Sequence, residues 1–153
     1  MKSLTSMIAA VLAVAGILAA ANGVQAAERY GKQKVVYHIN YDGGDSGKAY
    51  RAAMQNIQNH INAVGKDNID VKVVLHGNGV SLLKDAKGNE KLAGQVSGLK
   101  SQNVAFNICN NTLVGRKIDA EKDLYEVFKE DIVPSGVAEV SRLQQMGYTY
   151  IKP

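Results

Sequence analysis

The chain has 153 residues, of which 46% are hydrophobic and 21% charged, and its formal net charge is +4. With 15 glycines and 2 prolines, this composition excludes a collagen-like chain, a disordered tail and a charged coiled coil. The single cysteine excludes an intramolecular disulfide and a cysteine-rich zinc module, so the fold must be stabilised by a hydrophobic core. The basic residues are scattered among acidic ones, which predicts no nucleic-acid partner.

Residues 1–26 have the pattern of a signal peptide. Lys2 provides the positive end, residues 7–21 form an uncharged apolar run, and residues 24–26 (Val-Gln-Ala) resemble a cleavage site. The competing interpretation is a membrane anchor, for which the apolar run is short. We therefore expect cleavage after Ala26, export to the periplasm, and a mature single α/β domain at residues 27–153 with no membrane attachment.

The sequence of the first half of the mature chain predicts a strand, a helix and a second strand. Residues 35–40 are rich in β-forming side chains and end at a glycine-containing loop, after which Asp45 or Ser46 is expected to cap a helix. Residues 69–76 form the second predicted strand. The helix between them is ended by Gly65, and its apolar stripe is Tyr50, Met54, Ile57, Ile61 and Val64.

The second half continues the alternation. Helices are predicted at about 80–86 and 91–100, and strands at 104–109, 132–133 and 148–151. Asp119 is expected to cap a helix that carries Leu124 and Phe128, and residues 135–136 to open a last helix with Val137, Val140 and Leu143 facing inward. Five strands alternating with helices predict a three-layer α/β/α sandwich with a mostly parallel sheet.

Chemistry in such a fold is expected at the carboxyl edge of the strands. Three segments bring polar residues to that edge: residues 40–45, 76–78 and 109–112. Cys109 is the most reactive group among them, and its place before a helical turn favours the thiolate, with Arg116 and Lys117 as sources of added positive potential. The alternative is a cysteine buried in the core, since free cysteines are often buried.

His76 ends the second predicted strand and is a candidate base or hydrogen-bond partner for Cys109. The alternative, which its position alone favours, is a histidine whose ring closes the turn there. His38 and His60 belong to no metal-binding spacing, so a metal site is disfavoured. The glycines at 43, 44 and 47 match no phosphate-loop pattern, and no Gly-x-Ser-x-Gly elbow is present.

Four segments together resemble the DsrE/DsrF-like family and, more narrowly, its exported single-domain branch. They are residues 73–79 (VVLHGNG), 104–113 (VAFNICNNTL), 133–137 (VPSGV) and 147–153 (GYTYIKP). The resemblance implies a Rossmann-like sandwich that assembles into homo-oligomers. It also implies a cysteine after the third strand that carries a persulfide, and Cys109 occupies that position. A relay of this type uses a protein sulfur donor and acceptor, and needs no metal or organic cofactor.

Two functions follow as hypotheses. In the first, the protein is a periplasmic sulfur carrier, or another thiol-reactive protein of sulfur metabolism, that acts through Cys109. The residues expected to line that site are His76, Asn78, Asn110, Asn111 and Thr112. In the second, the protein is a non-enzymatic module that binds a small ligand or builds an assembly, and Cys109 serves packing.

Overall fold

The structure, a computed structural model, describes residues 29–153. The predicted signal peptide lies outside these residues. Five strands form one sheet in the order β4-β3-β2-β1-β5, and every neighbouring pair is parallel. Their bounds are Gln33–Ile39 (β1), Ile69–Leu75 (β2), Ala105–Cys109 (β3), Ile132–Val133 (β4) and Thr149–Ile151 (β5).

The helices form the two outer layers of a three-layer α/β sandwich, as the sequence predicted. Residues 29–153 contain the α-helices Lys48–Val64 (α1), Ser81–Ala86 (α2), Glu90–Lys100 (α3), Asn110–Arg116 (α4), Ala120–Asp123 (α5) and Gly136–Gln145 (α6). Helices α1 to α4 bury their apolar side chains in the large core on one face of the sheet. On the opposite face, Val140 and Leu143 of α6 pack with Val36, Val74 and Tyr148. In this part of the chain, no helix combines the length and apolar character needed to cross a bilayer.

Helix α1 shows how the local pattern determines an element. All five residues of its predicted apolar stripe are buried. Gly65 ends the helix with a φ of 92°, a backbone conformation that residues with a side chain rarely adopt. The predicted cap is wrong. Asp45 and Ser46 belong to a 3₁₀ turn before the helix, and the N-cap is Gly47, which has no side chain to accept a hydrogen bond.

Two predictions in the second half are also wrong: the helix after Asp119 carries neither Leu124 nor Phe128, and Val137 does not face inward. Asp119 caps a helix as predicted, accepting from the backbone N–H groups of Glu121 and Lys122, but α5 is one turn long and ends before Leu124. Leu124 is buried beyond the helix, whereas Phe128 is 57% exposed. Val137 in the first turn of α6 is 65% exposed, whereas Val140 and Leu143 of the same helix are buried as predicted.

The order of the strands determines at which strand ends the connecting segments leave towards opposite faces of the sheet. The segments after β1, β2 and β3 lead to helices on the first face, whereas the segment after β4 leads to α6 on the second face. Since β3 and β4 are neighbours, their carboxyl ends form a topological switch point, which is where α/β sheets open a crevice for ligands. Cys109 and Val133 are paired across this point.

Candidate functional site

Cys109 lies at the switch point as the last residue of β3 and the N-cap of α4. Helix α4 follows without a linker, so the helical turn expected after Cys109 is present as a helix of 7 residues. The first residue of α6, Gly136, packs against Cys109 from the other side. Two helices therefore begin beside one thiol.

The surroundings of the thiol favour its charged form. Burial by itself raises the pKa of Cys109, because a thiolate loses solvation in the protein interior. Hydrogen bonding from the backbone N–H groups of Gly136, Thr112 and Asn111 and from the hydroxyl of Thr112 acts in the opposite direction and lowers the pKa. The hydrogen bonds dominate, and the pKa of Cys109 is lowered from its ordinary value.

His76 lies beside this site without bonding to the thiol. Its Cβ and the Cβ of Cys109 both pack against the backbone of Gly136. Burial lowers the pKa of His76, and the nearby charge of Lys152 lowers it further, so the ring is neutral at pH 7. Its Nε2 atom is buried and has no hydrogen-bond partner among residues 29–153. His76 therefore lies close to Cys109, as predicted. It can act as a base only when the group that loses the proton comes within hydrogen-bonding distance of its ring.

His38 is a neighbour that sequence reasoning missed. Its ring stacks on that of His76 with centroids 4.8 Å apart, and its Nδ1 atom is 2.8 Å from the hydroxyl oxygen of Tyr150 on β5. Burial, followed by the charges of His76 and Lys152, lowers the pKa of His38 to about 4. The alternation of β1 was the available signal, because it places His38 on the same face as Val36, next to the end of β2.

Thr112 joins the loop after β2 to the helix after Cys109. The backbone N–H of Gly77 donates to its Oγ1 atom at 2.9 Å. One turn later, Arg116 Nη2 donates to Asn78 Oδ1 at 2.7 Å. Arg116 is therefore engaged with Asn78 and does not contact the sulfur, which corrects the expectation that it would activate the thiol.

Some of the predicted site residues lie together at the thiol, and others lie on the exposed surface around it. Cys109, His76 and Thr112 lie together at the end of β3. Asn111 contributes its backbone N–H, while its side chain and that of Asn110 are exposed. Asn78 is exposed and connects to the site through Arg116. Gly136, which was predicted only to open the last helix, packs against Cys109.

Access is the main constraint on the chemistry at this position. Cys109 is 5% exposed, so a reacting sulfur atom can approach it only through the small part of its surface that is open. A thiolate surrounded by amide donors is a nucleophile with a stabilised negative charge. Within residues 29–153, no group of three or more His, Cys, Asp or Glu side chains is arranged to hold a metal ion.

Comparison with known proteins agrees with this fold. The DsrE/DsrF-like family matches residues 14–153. A solved structure titled as a protein of unknown function from Methanobacterium thermoautotrophicum is 30% identical, with a TM-score of 0.65 over 80% of this chain and 100% of that one. No curated protein matches the chain. With a match that spans most of its length, the chain belongs to the DsrE/DsrF-like family.

Proposed function

We propose that this protein carries sulfane sulfur as a persulfide on Cys109, and that it does so in the periplasm after residues 1–26 are removed. The observation that supports the proposal is the set of donors around the sulfur: three backbone N–H groups and one hydroxyl lower the thiol pKa although the side chain is buried. Family membership adds to this support, because the relay role that the resemblance implies uses a cysteine at the end of the third strand.

The transfer step is a thiol exchange. The Cys109 thiolate attacks the outer sulfur of a donor persulfide, R–S–SH. A new bond forms between Cys109 Sγ and that sulfur, the donor's S–S bond breaks, and the donor leaves as the thiolate R–S⁻ with the electron pair. The product is Cys109–S–SH. One S–S bond replaces another, so the step needs no oxidant or reductant, and the reverse exchange delivers the sulfur to an acceptor thiolate.

Intact-mass analysis tests the carrier role. Protein purified without reductant, or treated with a small persulfide donor, should gain the mass of one sulfur atom, and dithiothreitol should remove it. Cys109→Ser is the matched control, because it keeps the size of the side chain and lacks the nucleophile. If the wild type gains no sulfur under conditions where a free cysteine does, the carrier role is excluded.

Export is tested on the same material. N-terminal sequencing of protein from the periplasmic fraction should begin near Ala27. A chain that retains Lys2 in that fraction, or one recovered only from the cytoplasm, contradicts the proposed location.

Self-association is the third part of the proposal. The exposed apolar side chains of Val137, Met146 and Tyr150, on α6, just after it and on β5, support it, because they leave an uncovered apolar surface on the second face. Sedimentation analysis over a series of micromolar concentrations should show a species heavier than the monomer. Monomer mass throughout that range contradicts the assembly.

One observation favours the second function, a ligand-binding or assembly module in which Cys109 serves packing. The cysteine is as buried as core residues such as Leu113. Thiol labelling of the native protein separates the two functions. Rapid labelling supports the carrier, whereas labelling only after unfolding supports the packing role.

A further inference from the structure

We propose that Gly136 is a positioning residue for Cys109: because it has no side chain, the start of α6 packs directly against Cys109 and presents its first backbone N–H towards the sulfur atom. This inference deepens the proposed function and rests on it for its role in sulfur transfer. The effect on the thiol itself can be measured whether or not sulfur is transferred.

The packing around Gly136 leaves no space for a methyl group. A Cβ built at this position would lie 2.8 Å from His76 Cβ and 3.2 Å from Cys109 Cβ. Real Cβ atoms essentially never approach another heavy atom within 3.0 Å. His76 Cβ is bonded directly to the backbone after β2, so it cannot rotate away as the end of a long side chain could. Any other residue at 136 must move the start of α6 away from the two strand ends.

The donor that would be moved has no alternative partner within the helix. The first N–H groups of a helix lack acceptors in the preceding turn. Ser135 caps α6 by accepting from the N–H of Ala138 at 3.4 Å, which leaves the N–H of Gly136 to the thiol. Since the sulfur is buried, solvent is poorly placed to replace a donor that is lost. The absence of a side chain at 136 therefore controls how much of Cys109 is thiolate.

The test is the pH dependence of iodoacetamide alkylation of Cys109, measured on the protein purified from cells that express the full chain. Gly136→Ala should move the midpoint upward by about one pH unit or more, the effect of losing a hydrogen bond to a charged group. Gly115→Ala is the matched control, because a Cβ there meets no atom within 4 Å, and it should leave the midpoint unchanged. A Gly136→Ala midpoint equal to that of the wild type overturns the inference.

A steric suppressor tests the cause. In the double variant His76→Gly/Gly136→Ala the closest obstructing atom is absent, so the midpoint should return toward that of the wild-type protein. A midpoint as high in the double variant as in Gly136→Ala shows that close packing against His76 is not what positions the amide.

A measurement on the unmutated chain covers the case in which Gly136→Ala does not fold. The amide resonance of Gly136 should shift with pH at the midpoint of the thiol, and this titration should be absent in Cys109→Ser. An amide that does not follow the thiol overturns the inference. A wild type that gains no persulfide while its Gly136 amide titrates with Cys109 excludes the carrier role alone.

Discussion

The imidazole rings of His38 and His76 stack with their centroids 4.8 Å apart and their planes inclined by 24°. The two residues come from neighbouring strands, and Lys152 on the C-terminal segment adds positive charge to their surroundings. Two stacked rings that are both protonated repel each other at this distance. Burial and the nearby charges lower the pKa of both rings, so protonation of the pair is unfavourable and this edge of the sheet is expected to be sensitive to acid.

The first prediction concerns acid stability. The pKa of His38 is about 4 in the folded protein and about 6.5 in an unfolded chain, so the unfolded state binds the proton more readily. The stability that His38 contributes is present above pH 6.5 and is lost as the pH falls toward 4. The free energy of unfolding of the wild type should decline over this window, and that of His38→Gln should decline less. Equal slopes for wild type and His38→Gln contradict the prediction.

The second prediction separates polarity from size at position 109. Cys109→Ser should change the free energy of unfolding by less than about 1 kcal/mol, because the hydroxyl can accept the bonds now made to the sulfur. Cys109→Val should cost about 1–3 kcal/mol more, since the surrounding N–H groups lose their acceptor in a buried site. Chemical denaturation of both variants gives the comparison. Equal stabilities of the serine and valine variants would mean that the donors do not depend on residue 109.

The third prediction concerns Thr112, whose hydroxyl both accepts from Gly77 and donates to the thiolate. Thr112→Val should destabilise the protein by about 1–2 kcal/mol and raise the pKa of Cys109. Thr112→Ser keeps the hydroxyl and should retain both properties. Denaturation and alkylation profiles measured on the same samples check the two effects. A serine variant that behaves like the valine variant contradicts the assignment of these effects to the hydroxyl.

The fourth prediction concerns the turn after β2. A Cβ on Gly79 would lie 1.9 Å from the carbonyl oxygen of Ile39, which is backbone and cannot move without displacing β1. Gly79→Ala should therefore cost more than about 3 kcal/mol or prevent folding. Gly88→Ala, where a Cβ meets open space, should change the stability by less than about 1 kcal/mol. Similar melting temperatures for the two variants contradict the close approach at Gly79.

Local pattern was sufficient for most of the elements. The stripe of α1 repeats at the helical period, and runs such as residues 69–75 have the apolar content of a strand buried on both faces. The glycine after α1 and the serine before α6 were predictable because caps act within one or two turns. The same reasoning failed at Val137 and Phe128, where apolar character indicates burial only if a neighbouring element arrives to cover it.

The candidate site shows the same division between local and long-range information. Local sequence was enough to predict that Cys109 ends a strand of an α/β sheet and that His76 lies at the end of the strand before it, although His76 follows β2 directly instead of belonging to it. Both predictions depend on residues close by in the chain. Only the tertiary structure decided that Gly136 packs between them, that His38 stacks on His76, and that Arg116 binds Asn78 instead of the thiol. These contacts depend on the strand order and on the side to which α6 crosses, which place residues 27 to 60 positions apart within contact distance. The free energy that selects such an arrangement comes from burying the whole core, so no short segment of the sequence contains it.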